Sequence, residues 1–354
     1  MTLTVIDRAR GIMTGIAVGN LFGISMEGWN RARIVGKWPQ GITEIEAHSG
    51  YPDDDDLAQS IIIAEAAAEG PLCVDDLGRK FWEWAEVNGL GIGILTQDVL
   101  ALYGGDDPRC LAQNRQAGMA RTPRGIPIAE ASKKAWRGER AGNGAIMRCA
   151  PLAIRYCRNL LRLASRDTMP LTRESVVSAI PTHWDRRCGW SCAIVNIAIS
   201  GALRNRVLSA QELIGLAKEG VAAAIPELGR YGYEAAPPKS VVEAVHQSSS
   251  SRIGDLTFDG HDMGFTLLAM QAALSSYWHA PDFETGLRQI VEAGGDTDTN
   301  GAIVGAVLGA RFGCSGIPSR WRRRTAEIRS GRIPMAHYAD VLATEARREQ
   351  HWHA

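Results

Sequence analysis

Three observations predict an all-α fold for this sequence. Apolar residues recur at the three- and four-residue spacing of helices in one segment after another. No stretch combines sustained apolar alternation with β-branched enrichment between turn residues, as half-buried strands would. Two glycine stripes, Gly11-Gly15-Gly19-Gly23 and Gly301-Gly305-Gly309-Gly313, keep the period of four that places small residues along one helical face.

Composition narrows the function classes. The 354 residues, 45% hydrophobic and 22% charged, are ordinary for a globular protein and numerous enough to bury a sizeable core. Lys+Arg and Asp+Glu both total 39, so no net field draws the chain to nucleic acid or a membrane surface. Met1 to Arg10 lacks the apolar core of a signal peptide and no apolar run approaches a membrane span, so a cytoplasmic location is expected. Seven cysteines with no Cys-x-x-Cys pair argue against a disulfide framework or a zinc knuckle.

The first helix is expected over Val5 to Phe22 and carries the first glycine stripe. Each glycine costs a helix about 1 kcal/mol relative to alanine, so the stripe is useful only against a close partner. The second stripe is the natural candidate, and the two helices are expected to meet at the centre of the fold and join the ends of the chain. A glycine-rich loop, Glu27 to Tyr51, leads to Pro52-Asp53-Asp54-Asp55-Asp56 and a helix through Ala67. Pro52 suits a first turn and acidic residues there complement the helix dipole, but four in succession exceed what capping needs.

Asp75 to Glu86 has the pattern of an amphipathic helix. The polar segment Gly104 to Gly144, with a helix expected over Ile128 to Arg137, is too long for a tight connection. Helices follow over Ala145 to Arg158, Arg173 to Ile180, Asp185 to Leu203, Ala210 to Ala224, His261 to Trp278, Phe283 to Ala293 and Pro334 to Arg348. Helices flank the soft boundary at Pro226 to Ser251, so one domain over residues 1–354 is expected.

Chemistry concentrates in Gly294-Gly295-Asp296-Thr297-Asp298-Thr299-Asn300-Gly301. An EF-hand is excluded, because its twelfth place needs a bidentate carboxylate and holds Val307. A phosphotransfer Asp-x-Asp-x-Thr site needs a buried strand upstream, and Val291-Glu292-Ala293-Gly294-Gly295 does not supply one. Two explanations remain. The oxygens of Asp296, Asp298 and Thr299 hold a hard cation with carboxylates from another segment, or the acidic residues simply cap a helix.

Four more islands lie between the helices: Gly19-Asn20-Leu21-Phe22-Gly23 with Glu27, the Asp53 to Asp56 run, Gly142-Asn143-Gly144-Ala145-Ile146-Met147-Arg148, and Thr182-His183-Trp184-Asp185. Gly142-Asn143-Gly144 offers backbone N–H groups suited to a phosphate, or it is an Asn-Gly turn. His183 either orients a ligand ring or is a satisfied core residue.

In this order the five islands resemble the ADP-ribosylglycohydrolase family, over about Gly11 to Trp321. The resemblance implies a compact orthogonal helical bundle with a dinuclear metal cleft holding two Mg²⁺ ions, or Mn²⁺. It further implies hydrolysis of the bond between mono-ADP-ribose and an acceptor, with a protein side chain such as arginine favoured. The family's metal ligands fall on Asp296, Asp298 and Thr299, its acidic residue after the first helix on Glu27, its phosphate loop on Gly142, Asn143 and Gly144, and its ribose-proximal histidine on His183. Glu27 and Asp54 are the expected general base or ligand, and Arg148 either meets the diphosphate or partners a helix end.

Two departures from the family pattern matter. Asn20 stands where the family usually has aspartate. The family's Thr-Asp-Asp-Thr falls in the Asp run in one of two registers, making the ligands either Asp53 and Asp54, with Pro52 in the threonine's place, or Asp54 and Asp55. A binding or structural protein that has lost turnover is the competing expectation.

Overall fold

Thr4 starts the first helix, its hydroxyl accepting the Asp7 backbone N–H at 3.1 Å. The computed structural model of the chain describes residues 3–46, 54–107, 122–157, 165–256, 258, 260, 262–328 and 334–348. Among these, the first half of the chain forms α1 (Val5–Gly23), the two-residue strand β1 (Trp29–Asn30), α2 (Arg31–Lys37), α3 (Asp55–Glu69), α4 (Val74–Val87), α5 (Ile94–Gly104), α6 (Ile128–Trp136), α7 (Pro151–Arg155) and α8 (Ser165–Ala179). The second half continues with α9 (Arg186–Leu203), α10 (Ala210–Leu228), α11 (Lys239–Ser250), α12 (Thr266–His279), α13 (Phe283–Glu292), the strand β2 (Gly294–Gly295), α14 (Thr297–Phe312), α15 (Ser319–Ile328) and α16 (Met335–Arg348). The all-α prediction holds, with one short antiparallel pair, β1 on β2, as the addition.

The two glycine stripes face each other. Helices α1 and α14 pack antiparallel, with Gly11 against Gly309, Gly15 against Gly305, Gly19 against Gly301 and Gly23 against Thr297. A Cβ on Gly15, Gly19, Gly305 or Gly309 would lie within 3.0 Å of backbone atoms across the interface, so the two main chains are in direct contact. The buried Arg8 clamps the far end by donating to the Ala310 carbonyl at 2.8 Å, to the Arg311 carbonyl and to Asn205 Oδ1 at 2.7 Å. Those carbonyls lie in the last turn of α14, where a cation is favourable.

This pair separates two hydrophobic clusters and contributes to both. Ile12, Met13, Ile303 and Val307 join the larger one, with α3, α4, α8, α9 and α12. Val18, Phe22, Val304 and Leu308 join the smaller one, built around Phe283, Ile290 and Trp321. The aromatic core of the smaller cluster is Trp321, whose ring centroid lies 4.6 Å from Phe22 and 6.5 Å from Phe283. No helix among the described residues is long and apolar enough to cross a membrane.

Several element boundaries differ from the sequence expectation. The helix expected over Ala145 to Arg158 is a 3₁₀ segment, Asn143–Arg148, followed by the short α7, and Pro151 at the start of α7 has no N–H to continue an earlier helix. Lys239–Ser250, inside the expected soft boundary, is a helix that buries Val241, Ala244, Val245 and Ser248; three serines at its end mask the pattern. Helix α3 starts at Asp55 rather than near Pro52, which lies outside the described residues.

Candidate active site

Gly294 and Gly295 set the entry to α14. Both adopt left-handed backbone, with φ of 83° and 82°, which glycine takes without strain. Their strand pairs with β1, Trp29 opposite Gly295 and Asn30 opposite Gly294, and Gly28 N–H donates to the Gly295 carbonyl at 2.8 Å. This pairing brings Glu27 to Asp296 across 269 residues of sequence, close enough for the Asp296 charge to act on it. In the next turn Thr297 points away from the cleft, donating its hydroxyl to the Gly23 carbonyl at 2.8 Å. Asp298 and Thr299 face the cleft.

The start of α3 forms the facing wall. Asp54 is the N-cap of α3, and its carboxylate accepts the Asn20 side-chain amide at 2.6 Å. Oxygens of Asp54, Asp55 and Asp56 lie within 4.8 Å of one another. Asp56 is fully buried and accepts the Thr299 hydroxyl at 3.3 Å, joining the two acidic segments. Gly91, in the α4–α5 loop, lies over this pair of walls; a Cβ there would fall 2.7 Å from Asp55 Oδ1.

The Gly142-Asn143-Gly144 loop closes a third side. Asn143 N–H donates to the Gly264 carbonyl and Thr266 N–H to the Ala141 carbonyl, both at 2.9 Å, so the loop is fixed to the start of α12. The Asn143 side-chain amide donates to Asp296 Oδ2 at 2.7 Å, which ties the expected phosphate loop to the expected ligand set. His183 lies against the loop, and a Cβ on Gly144 would come within 2.9 Å of its Cε1.

These walls enclose a cavity of about 620 Å³, within the usual size for a small-molecule site. Glu27, Asp54, Asp55, Asp296, Asp298 and Thr299 line its acidic side, and Gly142, Asn143, Gly144 and His183 the other. Leu90, Ile94 and Met263 form an apolar rim. Of the residues expected from sequence, Asp53 lies outside the described residues. Asp54, common to both registers, and Asp55 line the cavity.

Arg148 takes the second of its two expected places, as the partner of a helix end. It is fully buried behind the His183 wall rather than in the cleft, stacked on Phe81 at 4.1 Å and donating to Gln59, the Ser178 carbonyl and Thr182. Conversely, Asp56 was not among the expected ligands. The polar spacing Asp56, Gln59, Ser60 on an otherwise apolar helix is the signal that could have found it, since all three are buried.

Burial raises the carboxyl pKa values of Asp55, Asp56 and Asp298 well above the ordinary range, and the neighbouring carboxylates add to the shift. Glu27 is raised too, first by burial and then by Asp296 and Asp54. Asp56 Oδ1 and Asp298 Oδ1 are buried and accept no hydrogen bond from the described residues. Converging carboxylates, two orphaned oxygens and the Thr299 hydroxyl are the donor set of a hard divalent cation, so these residues fit one.

A pH-dependent stability follows. The folded pKa values are raised above the unfolded ones, so the cation-free folded state holds protons that the unfolded chain releases. That contribution is complete below the unfolded carboxyl pKa of about 4 and is lost as pH climbs through the raised values. A divalent cation competes with those protons. The stabilisation by excess Mg²⁺, about 2.7 kcal/mol at a hundredfold excess over Kd, is therefore expected to be larger at about pH 8 than at about pH 5. Thermal unfolding with Mg²⁺ and with chelator checks it; an equal shift at both pH values would contradict it.

Comparison with known proteins bears on the family and the fold. The ADP-ribosylglycohydrolase family model matches residues 1–351. The ADP-ribosyl-[dinitrogen reductase] glycohydrolase of Rhodospirillum rubrum is 25% identical over 325 residues, covering 90% of each chain. The ADP-ribosylarginine hydrolase Tri1 of Pseudomonas putida (strain GB-1) is 23% identical over 342 residues, 91% of this chain and 75% of the relative. A solved structure described as an ADP-ribosylglycohydrolase-related protein complex shares the fold, with a TM-score of 0.64 and 24% identity over 97% of this chain and 99% of that one. With a family match along almost its whole length, the chain belongs to the ADP-ribosylglycohydrolase family.

Proposed function

We propose that this protein hydrolyses the glycosidic bond between ADP-ribose and an acceptor side chain, with arginine as the favoured acceptor and two Mg²⁺ ions, or Mn²⁺, as cofactors. The observation that carries the proposal is the convergence on one cavity of Glu27, the Asp54-Asp55 pair, Asp296 with Asp298 and Thr299, the Gly142 to Gly144 loop and His183. Relatives named for removing ADP-ribose from dinitrogen reductase and from arginine support the substrate class.

Asp54, Asp55, Asp56, Asp296, Asp298 and Thr299 are the residues that would hold the cations. Bound there, the cations supply positive charge that polarises ribose hydroxyls and the attacking water. Glu27 is the general base: its carboxylate lines the cavity, and a pKa raised by partial desolvation and by Asp296 and Asp54 lets it take a proton from water at near-neutral pH more readily than an unperturbed carboxylate. Carboxylate oxygens of this set that do not hold a cation stabilise the positive charge that develops at the anomeric carbon as the bond to the acceptor breaks. With the Asn143 N–H bonded to Gly264, the backbone N–H groups of Gly142 and Gly144 would bind the diphosphate.

One observation favours a second reading. Asn20 holds Asp54 Oδ2 at 2.6 Å with an amide, a neutral partner that occupies a potential ligand oxygen. A protein that binds ADP-ribose without cleaving it is consistent with that bond. The experiment is incubation of the Mg²⁺-supplemented protein with ADP-ribosyl-arginine and ADP-ribosyl-serine peptides, alongside calorimetry with ADP-ribose. Release of ADP-ribose is expected. Tight binding without release from any conjugate would replace the hydrolase by the binding protein.

A further inference from the structure

We propose that Arg148 and Thr182 hold His183 in the neutral tautomer protonated on Nε2, making the imidazole a hydrogen-bond donor into the cleft. Its ligand is a ribose or phosphate oxygen of the bound nucleotide, an identification that rests on the ADP-ribose reading. The tautomer itself does not.

The chain of donors fixes the proton. A guanidinium has only donors. Arg148 donates to Thr182 Oγ1 at 2.7 Å, to the Ser178 carbonyl at 3.0 Å and to Gln59 Oε1. Thr182 is buried, and among the described residues His183 Nδ1, 2.8 Å away, is the one acceptor within reach of its hydroxyl, so its proton is directed there while its oxygen accepts from Arg148. A neutral imidazole that accepts at Nδ1 carries its proton at Nε2.

Charge and burial keep the ring neutral. His183 is 2% exposed, and burial together with the neighbouring Arg148 cation pushes its pKa down to about 3. Nε2 is on the cleft side: it would meet a Cβ on Gly142 at 3.2 Å and one on Gly144 at 3.1 Å. Among the described residues no protein group hydrogen-bonds Nε2. The glycine loop and the imidazole therefore form a wall that offers donors, opposite a wall that offers carboxylates.

Arg148 and Thr182 are positioning residues in this scheme. Phe81 beneath the guanidinium and Gln59 at its edge hold Arg148 in turn. Thr182→Val keeps the shape and removes the hydroxyl, whereas Thr182→Ser keeps the hydroxyl. The test is nitrogen-15 NMR of histidine-labelled full chain without ligand, with His183→Asn to assign the resonance among the 8 histidines. In wild type and Thr182→Ser, His183 is expected neutral and Nε2-protonated across about pH 5 to 8. Thr182→Val is expected to remove the hydrogen bond accepted at Nδ1, moving the Nδ1 resonance to that of an unbonded imidazole nitrogen while the other histidine signals stay in place, and to weaken ADP-ribose binding about tenfold.

An Nδ1-protonated or charged His183 in the wild type would overturn the proposal. So would a Thr182→Val protein whose Nδ1 resonance does not move. If none of the three proteins binds ADP-ribose, the nucleotide assignment fails, while the NMR result still decides the relay.

Discussion

Asp298→Asn is expected to lower turnover by about 10³-fold while making the cation-free protein more stable. The two effects have one cause. Asp298 is 8% exposed, its Oδ1 has no partner among the described residues, and Asp296, Glu27 and Asp54 act on it with like charge. Losing a cation ligand removes several kcal/mol of transition-state charge stabilisation, and about 4 kcal/mol corresponds to 10³ in rate. Removing a buried carboxylate crowded by like charges relieves that repulsion where the group would otherwise be ionised.

Single-turnover kinetics and denaturant unfolding in chelator measure the two sides separately. A merely structural Asp298 would give a variant that loses stability along with activity. The Mg²⁺-induced rise in unfolding temperature should shrink in the variant too. If activity fell but the Mg²⁺ effect stayed, Asp298 would be acting on the substrate rather than on a cation.

How much of this was legible in the sequence depends on where the information lies. The glycine stripes were readable, because backbone contact between helices demands small residues at a fixed period and Gly15 and Gly305 meet as that period requires. The place of Asp296, Asp298 and Thr299 at the cavity was readable because oxygen-bearing side chains crowd four positions there. Arg148 was half-readable: its nearness to the glycine loop is a sequence fact, but that the 3₁₀ segment turns it away from the cleft is a tertiary one. Asp56 was obscured by its own neighbours, since four identical side chains give no sign of which face inward until the helix start at Asp55 fixes their rotation. The β1–β2 pairing that carries Glu27 to Asp296 joins two-residue strands containing consecutive glycines, with no strand propensity to read.

The largest stability effect should come from the glycine pair at the centre of the fold. Alanine at position 305 would gain about 1 kcal/mol of helix propensity over glycine. Its methyl group, however, would enter the space of the Gly15 carbonyl, where no side chain can rotate away. Overpacking a rigid contact costs about 1–3 kcal/mol or more, and here relief requires α1 and α14 to separate. Separation would also loosen Gly19 against Gly301 and move Asp298 and Thr299 relative to the Asp54 wall. Gly305→Ala is therefore expected to lose about 2 kcal/mol net, with weaker Mg²⁺ binding although residue 305 touches no ligand. Gly215→Ala is the matched control. Gly215 lies in the helix Ala210–Leu228 with nothing within 4 Å of an added Cβ, so propensity alone acts and the protein gains up to about 1 kcal/mol. Urea unfolding of the two variants against wild type gives opposite signs if backbone contact holds the central pair; equal gains would mean that the helices are free to move apart at no cost.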